Sequence, residues 1–254
     1  MLNKSRLEEE LISLGVTPPK TLFYSETDST NTRAKEYALK AENKETVVFI
    51  ADSQTAGRGR RGRSFVSEKG AGIYISILTF PNQSGADATK ATAKAAVSLS
   101  RAIEALTDCE IKIKWVNDLY LGGKKLAGLL TEGELHEDGK IAYQVVGMGI
   151  NVYKSAISGE ISDIATSLED QCEAPDRARL SAMIIKEFLS NCDDYYAEYK
   201  ARSFIIGKKV TVVKLTESYE ARVIDINPDF SLLIDRDGTK ERLFTGEISL
   251  KIDN

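Results

Sequence analysis

Residues 54–63 read Gln54-Thr55-Ala56-Gly57-Arg58-Gly59-Arg60-Arg61-Gly62-Arg63, and they directly follow the apolar run Val47-Val48-Phe49-Ile50-Ala51. Glycine lets a backbone come close to a ligand, and arginine presents a planar fork of donors that fits carboxylate and phosphate oxygens. Because clustered arginines repel one another, we expect this arginine loop (residues 57–63) to bind a small anion. A solvated charge run is the plainer alternative.

The spelling Gly57-x-Gly59-x-x-Gly62 is also that of a dinucleotide-binding loop. Such a loop opens a helix that packs on the preceding strand and binds pyrophosphate at its N-terminus. Here a β-rich run, residues 73–80, follows instead. We therefore predict that the loop returns into a strand and is not a dinucleotide site.

Composition limits the remaining possibilities. The chain has 254 residues, 42% hydrophobic and 28% charged, which suits one large domain or a large and a small one. A net charge of −4 and a pI near 5.4 argue against bulk nucleic-acid binding, so the basic loop is a local site. Residues 1–20 lack a signal-peptide core and no run could span a bilayer, so we expect a cytoplasmic protein without membrane contact.

Cysteine and histidine usage excludes two kinds of site. Cys109, Cys172 and Cys192 are far apart and odd in number, which predicts reduced structural thiols. His136 is the only histidine and lies in a charged turn. We therefore expect neither a Ser-His-Asp or Cys-His mechanism nor a histidine-ligated metal.

The polar quartet Asp28-Ser29-Thr30-Asn31 lies between a predicted strand at 23–27 and a predicted helix at 32–39. Each of these residue types can cap a helix, so capping is one interpretation. One cap needs only one of them, however, and four leave spare hydroxyl and amide groups for a polar ligand or anion. The residues alone leave both interpretations open.

A second polar group lies in residues 111–130. The pattern predicts a strand, a polar corner at Asn117-Asp118 and a hairpin that turns at Gly122-Gly123. The corner is alternatively an ordinary turn, and Lys125 an edge-strand guard against aggregation. Further on, the glycines of 147–151 allow a strand end to approach a ligand or neighbouring backbone.

The pattern changes near residue 203. Residues 1–203 carry these motifs and predicted helices at 3–14, 86–107 and 178–200, whereas 204–254 carry closely spaced short strands. We predict a larger domain over 1–203 and a small β-barrel over 204–254. A winged helix-turn-helix needs three helices and a wing, so the helix at 3–14 predicts no DNA-reading domain.

Together the motifs resemble the biotin protein ligases. Five blocks in the same order carry the resemblance: Asp28-Ser29-Thr30-Asn31, Gln54-x-x-Gly57-Arg58-Gly59-Arg60-x-Gly62-Arg63, Lys114-Trp115-x-Asn117-Asp118, Lys125-Leu126-Ala127-Gly128 and Gly147-x-Gly149-Ile150-Asn151. The similarity runs from residue 22 through the C-terminal strands and is closest to the ligase-only form, without a repressor domain.

The resemblance implies an α+β fold, in which helices flank a mixed sheet like that of class II aminoacyl-tRNA synthetases, with a small C-terminal SH3-like barrel. It also implies an ATP- and Mg²⁺-dependent ligase. Biotin would be activated as biotinyl-5′-AMP and transferred to a lysine of a biotin carboxyl carrier domain, that of acetyl-CoA carboxylase or a related carboxylase. The chain would act as a monomer or homodimer.

The resemblance also assigns residues. Arg60, Lys125 and Asp118 would be catalytic. Biotin would contact Ser29, Thr30, Asn31, Gln54, Gly57, Arg58, Gly59, Arg60 and Lys125. ATP or the adenylate would contact Arg58, Arg60, Arg63, Phe65, Asn117 and Asn151, and the last two would also face the metal beside the ATP phosphates.

Two departures and three alternatives remain at this point. Ser64-Phe65 stands where many members have Lys-Trp, and Val116 where proline is common. A lipoate or octanoate transferase shares the related fold and the carrier lysine, but the arginine loop and the Lys114–Asp118 block favour biotin. A biotin-sensing DNA-binding protein would need a DNA-reading domain, and a non-catalytic carrier-binding module would form no adenylate.

Overall fold

Two β-sheets and five α-helices make up the part of the chain that the computed structural model describes, residues 2–81, 84, 88–157, 161–190, 195–214, 217–244 and 247–250. The helices are α1 (Lys4–Ser13), α2 (Thr30–Ala38), α3 (Ala88–Glu104), α4 (Arg177–Leu189) and α5 (Tyr195–Arg202). The strands are β1 (Lys20–Tyr24), β2 (Val47–Ala51), β3 (Gly72–Thr79), β4 (Lys112–Lys114), β5 (Asp118–Leu121), β6 (Lys124–Leu135), β7 (Ile141–Asn151), β8 (Lys209–Val213), β9 (Ser218–Ile226), β10 (Leu232–Arg236), β11 (Thr239–Leu243) and β12 (Glu247–Leu250).

The larger sheet has the strand order β1-β2-β3-β7-β6-β5-β4. Strands β1 and β2 are parallel, with α2 as the crossover between them, and every other neighbouring pair is antiparallel. The predicted mixed sheet flanked by helices is therefore confirmed.

Both faces of this sheet are covered, which explains why its central strands are apolar throughout. On one face Val48 and Ile50 of β2 join a core with residues of α1, α3 and α4. On the other face Val47 and Phe49 pack with Ala34 of α2. Successive side chains of a strand point to opposite faces, so a fully apolar strand requires cover on both.

The turns around the motifs follow the sequence pattern. Strand β3 begins soon after the arginine loop, which contains only a short 3₁₀ turn at Arg60–Gly62. Gly122 and Gly123 have φ of 57° and 79° and join β5 to β6, as predicted. A positive φ costs less free energy for glycine than for any other residue, which is why glycines occupy both turn positions of this hairpin. In place of the single helix predicted at 178–200, the structure has two helices, α4 and α5. Residues 191–194 between them, which include Cys192, lie outside the described residues.

The smaller sheet has five antiparallel strands in the order β11-β10-β9-β8-β12. It corresponds to the predicted C-terminal SH3-like unit, in which β12 was not anticipated. Helix α5 ends at Arg202, and the boundary at residues 203 and 204 stays a prediction. Among the described helices, each is too short or too polar to cross a membrane.

Phe230 joins the smaller sheet to the larger domain. Its ring stacks on Tyr195 with centroids 5.6 Å apart and meets Tyr196 and Tyr199 edge to face. Its carbonyl oxygen accepts a 2.8 Å hydrogen bond from Nε1 of Trp115, and the hydroxyl of Tyr199 donates to the carbonyl of Val116 at 3.0 Å. The Trp115–Asp118 turn is therefore held from both the helical and the C-terminal side.

We expect Phe230→Ala to lower the free energy of unfolding by about 3–5 kcal/mol, because it removes a buried ring from three aromatic contacts and leaves a cavity. Urea denaturation followed by circular dichroism measures this. Leu135→Ala is the control, since Leu135 is 56% exposed, and it should change stability by less than about 0.5 kcal/mol. Equal urea midpoints for the two variants would contradict the role given to Phe230.

Candidate active site

A cleft of about 1030 Å³, counted out to its open mouth, lies between the arginine loop, the start of α2, strands β6 and β7 and the Trp115–Asp118 turn. All predicted site residues except Gly57 and Asn151 line it: Ser29, Thr30, Asn31, Gln54, Arg58, Gly59, Arg60, Arg63, Phe65, Asn117, Asp118 and Lys125. The fold thus gathers motifs from distant parts of the chain around one space.

The arginine loop folds back on itself over this cleft. The backbone N–H of Gly59 donates to the carbonyl of Arg63 at 2.6 Å, and that of Phe65 donates to the carbonyl of Gly57 at 2.9 Å. A Cβ on Gly57 would lie 2.4 Å from the Phe65 carbonyl oxygen. Gly57 therefore shapes the loop from behind the cleft. Since the loop leads into β3, the dinucleotide interpretation is excluded.

A hydroxyl–amide cluster, formed by Thr30, Asn31, Gln54, Ser67 and Ser76, makes one wall of the cleft. Oε1 of Gln54 accepts from the backbone N–H and the hydroxyl of Thr30 at 2.9 and 3.1 Å, and Nε2 donates to Ser67 at 2.9 Å. The Ser76 hydroxyl lies 2.7 Å from the Thr30 hydroxyl and 2.6 Å from Oδ1 of Asn31. These mutual bonds fix the wall before any ligand arrives.

Capping does not account for Ser29. It is the N-cap residue of α2, but its side chain makes no capping hydrogen bond. Asp28 Oδ1 instead accepts from the Ser29 backbone N–H at 2.6 Å, while its carboxylate pairs with Arg33 at 2.9 Å. The structure therefore favours the ligand-binding interpretation of the quartet at Ser29, whose side chain lines the cleft.

Two glycines of β7 make room for cleft side chains. A Cβ on Gly147 would lie 2.2 Å from Oδ1 of Asn31, and one on Gly149 would lie 2.6 Å from the Phe65 ring. Phe65 therefore rests on the bare backbone of β7, with its ring edge to face against Tyr74 at 6.5 Å. No larger residue fits at either position without moving its neighbour.

The other end of the cleft is charged. Lys125 Nζ lies 2.8 Å from Oδ1 of Asp118, and Arg60 Nη1 donates to Oδ1 of Asn117 at 3.0 Å. Asn117 is itself held by Leu129 of β6. Its side-chain Nδ2 donates to the backbone carbonyl of Leu129, and its backbone carbonyl accepts from the Leu129 N–H, both at 2.9 Å. Cationic groups here are thus oriented by β6 and by the turn before β5.

Asn151 lies behind the cleft, not in it. Its side chain is buried, and Nδ2 donates to the carbonyl of Thr166 at 3.2 Å. The Thr166 N–H bonds the carbonyl of Lys125 at 2.9 Å, and the Lys125 N–H bonds the carbonyl of Ile164 at 3.0 Å. Asn151 therefore supports the strand that carries Lys125, and its predicted contact with nucleotide or metal stays a prediction.

Glu132 is a site residue that the sequence pattern did not indicate. Its carboxylate accepts from Lys35 at 2.8 Å, Asn31 at 2.9 Å and Arg58 at 2.7 Å. Burial alone would raise the pKa of Glu132, but the hydrogen bonds from Lys35 and Asn31 and the charge of Arg58 outweigh it, so the pKa lies below its ordinary value. The group is a carboxylate at neutral pH.

Sequence reasoning also missed other members of the site. Ser64, Lys114, Trp115 and Ile248 line the cleft, and Ser67 and Ser76 hold its wall. For Ser76 a signal exists, because it is the one small polar residue within the run 73–78, and the structure shows it fully buried. A buried hydroxyl in such a strand needs a polar partner, and here the partners are site residues.

The described residues contain no group of three or more His, Cys, Asp or Glu side chains arranged to hold a metal ion. Of the two residues predicted to face the metal, Asn117 lines the cleft and offers one amide oxygen, whereas Asn151 does not line it. Mg²⁺ commonly keeps several waters and takes only one or two protein ligands beside substrate phosphates. The residues present fit such a phosphate-held ion rather than a protein cage.

We expect Gly149→Ala to cost about 1–3 kcal/mol of unfolding free energy, because the added methyl group overlaps the Phe65 ring. In a Phe65→Ala background the same substitution should cost at least about 1 kcal/mol less, since the overlapping ring is gone. Urea titration of the two single variants and the double variant gives this coupling energy. Additive costs would show that Phe65 does not rest on Gly149.

Comparison with known proteins supports the family resemblance. The model of the Biotin/lipoate A/B protein ligase family matches residues 23–151. The Bifunctional ligase/repressor BirA of Bacillus spizizenii is 29% identical over 240 residues, which cover 90% of this chain and 74% of that protein. The Biotin–[acetyl-CoA-carboxylase] ligase of Mycobacterium tuberculosis is 31% identical over 223 residues, 83% of this chain and 81% of that protein.

A solved structure, the biotin protein ligase from Aquifex aeolicus in complex with biotin and ATP, has the same fold with a TM-score of 0.74 and 26% identity over 91% of this chain and 98% of that chain. The family match spans all five motif blocks, together with the end of β1 and strands β2 to β7. The chain therefore belongs to the Biotin/lipoate A/B protein ligase family, within its biotin protein ligases.

Proposed function

We propose that the protein joins biotin to a carrier lysine in two steps at this one cleft. In the first, a biotin carboxylate oxygen attacks the α-phosphorus of ATP and pyrophosphate leaves. In the second, the lysine nitrogen attacks the acyl carbon of biotinyl-5′-AMP, AMP leaves and the amine loses a proton. The observation that carries the proposal is the juxtaposition of a neutral hydroxyl–amide cluster with a cationic end in a single cleft.

The hydroxyl–amide cluster suits the uncharged ureido ring. Ser29, Thr30 and Gln54 present donors and acceptors at the cleft wall, and a ring with N–H and C=O groups needs both. Asn31 has an indirect role, because Oδ1 accepts from Ser76 while Nδ2 donates to Glu132 and to the Leu130 carbonyl. It holds the wall on which the ring rests.

The cationic end suits the meeting of a carboxylate with a triphosphate. These two anions repel each other, and the charge grows on the phosphate oxygens as the α-phosphorus is attacked. Arg58, Arg60 and Lys125 would hold the carboxylate and the α-phosphate, and Arg63 the departing pyrophosphate. Phe65 would pack beside the bound adenylate. Arginine forks are suited to these oxygens because two N–H groups can bind one anion.

Mg²⁺ would be held at this end by ATP phosphate oxygens with the amide oxygen of Asn117. When bound, it would neutralise phosphate charge. Asn151 would act from behind through Thr166 and Lys125.

The reaction consumes ATP, which supports a cytoplasmic location, and the name of the M. tuberculosis relative supports the carrier domain of acetyl-CoA carboxylase as the acceptor. A monomer and a homodimer are both consistent with a cleft built from one chain.

In the second step Asp118 would orient or deprotonate the incoming lysine, which attacks only as the neutral amine. Its carboxylate lines the cleft 2.8 Å from Lys125 Nζ. Once Lys125 bonds the acyl phosphate, Asp118 can turn to the acceptor. One ion pair therefore serves both half-reactions.

We expect Arg60→Ala to slow biotinyl-AMP formation by about 10²–10³-fold, the usual effect of removing one preorganised charge-stabilising donor. Mass spectrometry of a mixture of protein, ATP, Mg²⁺ and biotin measures the adenylate. Arg61→Ala is the matched control, since Arg61 is exposed in the same loop and does not line the cleft, and it should stay near the wild-type rate. Lipoate and octanoate in the same assay test the transferase alternative. If none of the three acids gives an adenylate, the proposal is refuted.

We expect Asp118→Asn to slow transfer from preformed biotinyl-AMP to a biotin carboxyl carrier domain by about 100-fold, and adenylate formation by much less. Hydroxylamine is a neutral nucleophile that needs no base, so its reaction with the bound adenylate should be little affected. A stopped assay with each acceptor separates these rates. Equal slowing of both half-reactions would exclude Asp118 as the base.

A further inference from the structure

We propose that Glu132 is a positioning residue, which fastens the arginine loop over the cleft through Arg58 before substrate binds. The proposal extends the role proposed above for Arg58, and nothing in the sequence motifs indicates it. Glu132 lies in the second half of β6, outside the five motif blocks, and its side chain is 22% exposed.

One carboxylate here joins three separate elements. Oε1 of Glu132 accepts from Lys35 of α2 at 2.8 Å. Oε2 accepts from Asn31, also of α2, at 2.9 Å and from Arg58 of the arginine loop at 2.7 Å. Because Glu132 is paired with Val145 of β7 in the larger sheet, the loop is thereby tied to a rigid element.

The charge balance explains how a carboxylate can lie at an anion-binding cleft. Lys35 and Arg58 carry two positive charges against the single negative charge of Glu132, so the group of three is net positive. Neither Glu132 nor Lys35 is among the residues that line the cleft, so this carboxylate acts on Arg58 from behind the cleft wall, with Lys35 as its second cation. Glu132 can therefore hold Arg58 in place without making the cleft repel a carboxylate or phosphate.

The same carboxylate also couples the loop to the hydroxyl–amide cluster. Asn31 receives support from Glu132 through Nδ2 and from Ser76 through Oδ1, and Ser76 reaches Thr30. A change in the charge of Glu132 is therefore felt by the loop and by the cluster wall together. The described contact with Glu132 uses Nη2 of Arg58, so Nη1 and Nε can bind a substrate anion while Glu132 still holds the side chain.

Limited trypsin digestion of the unliganded protein tests this directly, because the loop holds four arginine cleavage sites. Glu132→Gln keeps the size of the side chain, but it removes the charge that binds Arg58 and replaces one of the two acceptor oxygens by an NH2 group. We expect cleavage within residues 58–63 to become about fivefold to tenfold faster, the factor for losing one charge-assisted hydrogen bond that holds a local segment closed. Mass spectrometry of the fragments locates the cuts.

Two control variants separate the loop contact from other effects. Glu134→Gln removes a charge two residues along the same strand, and Lys35→Met removes the other cation of Glu132 while leaving Arg58. Both should be cleaved at the wild-type rate. Lys35→Met cleaved as fast as Glu132→Gln, unchanged cleavage in Glu132→Gln, or new cuts spread over the whole chain would each overturn the proposal.

A ligand readout then connects the contact to the reaction. We expect biotinyl-AMP to dissociate about fivefold to tenfold faster from Glu132→Gln than from the wild type, measured by chase with unlabelled adenylate. An unchanged dissociation rate would overturn the claim that Glu132 positions the loop on the ligand. Because the digestion uses no ligand, it remains decisive even if the residue roles given under the proposed function fail.

Discussion

Electrostatic repulsion is the constraint on which this site depends. Arg58, Arg60, Arg63, Lys114 and Lys125 all line one cleft of a protein whose net charge is −4. Holding several cations together costs free energy unless each is oriented by a partner. Glu132 orients Arg58, Asn117 orients Arg60 and Asp118 orients Lys125, at 2.7, 3.0 and 2.8 Å. Each partner comes from the strands or turns of the larger sheet, so the fold maintains the charge that the reaction needs.

Close approach of backbones is the second condition, and it explains the glycines of the motifs. Gly147 and Gly149 leave the surface of β7 bare where Asn31 and Phe65 rest, and Gly57 lets the arginine loop cross itself. The glycines therefore act by packing against neighbouring protein groups. The C-terminal part adds a further support, because the Phe230 carbonyl accepts from the Trp115 indole at the start of the Trp115–Asp118 turn. The supports of the cleft thus come from both sheets.

Local pattern predicted the parts of the molecule whose cause is local. The Gly122-Gly123 hairpin, the strand after the arginine loop and the helix start at the polar quartet depend on neighbouring residues, and the structure confirms them. The closely spaced short strands predicted the C-terminal β unit, and the resemblance carried by the motif blocks predicted the mixed sheet and the SH3-like form of that unit. Glu132 could not be predicted in this way, because its importance comes from α2 and the arginine loop, which meet only after folding. Asn151 shows the opposite limit of sequence reasoning, because it belongs to a motif block and yet its side chain lies behind the cleft.

The contrast between Asn31 and Ser29 shows why site residues cannot be assigned from a motif alone. They are two residues apart, and both line the cleft. Both N–H groups of the Asn31 amide already have protein acceptors, whereas Nε2 of Gln54 donates once, to Ser67, and the Ser29 side chain does not cap its helix. A polar group whose bonds are satisfied within the protein gives a ligand little, because binding would exchange one hydrogen bond for another. In the proposed function Asn31 would therefore act by rigidity, and the direct contacts would be made by Ser29, Thr30 and Gln54.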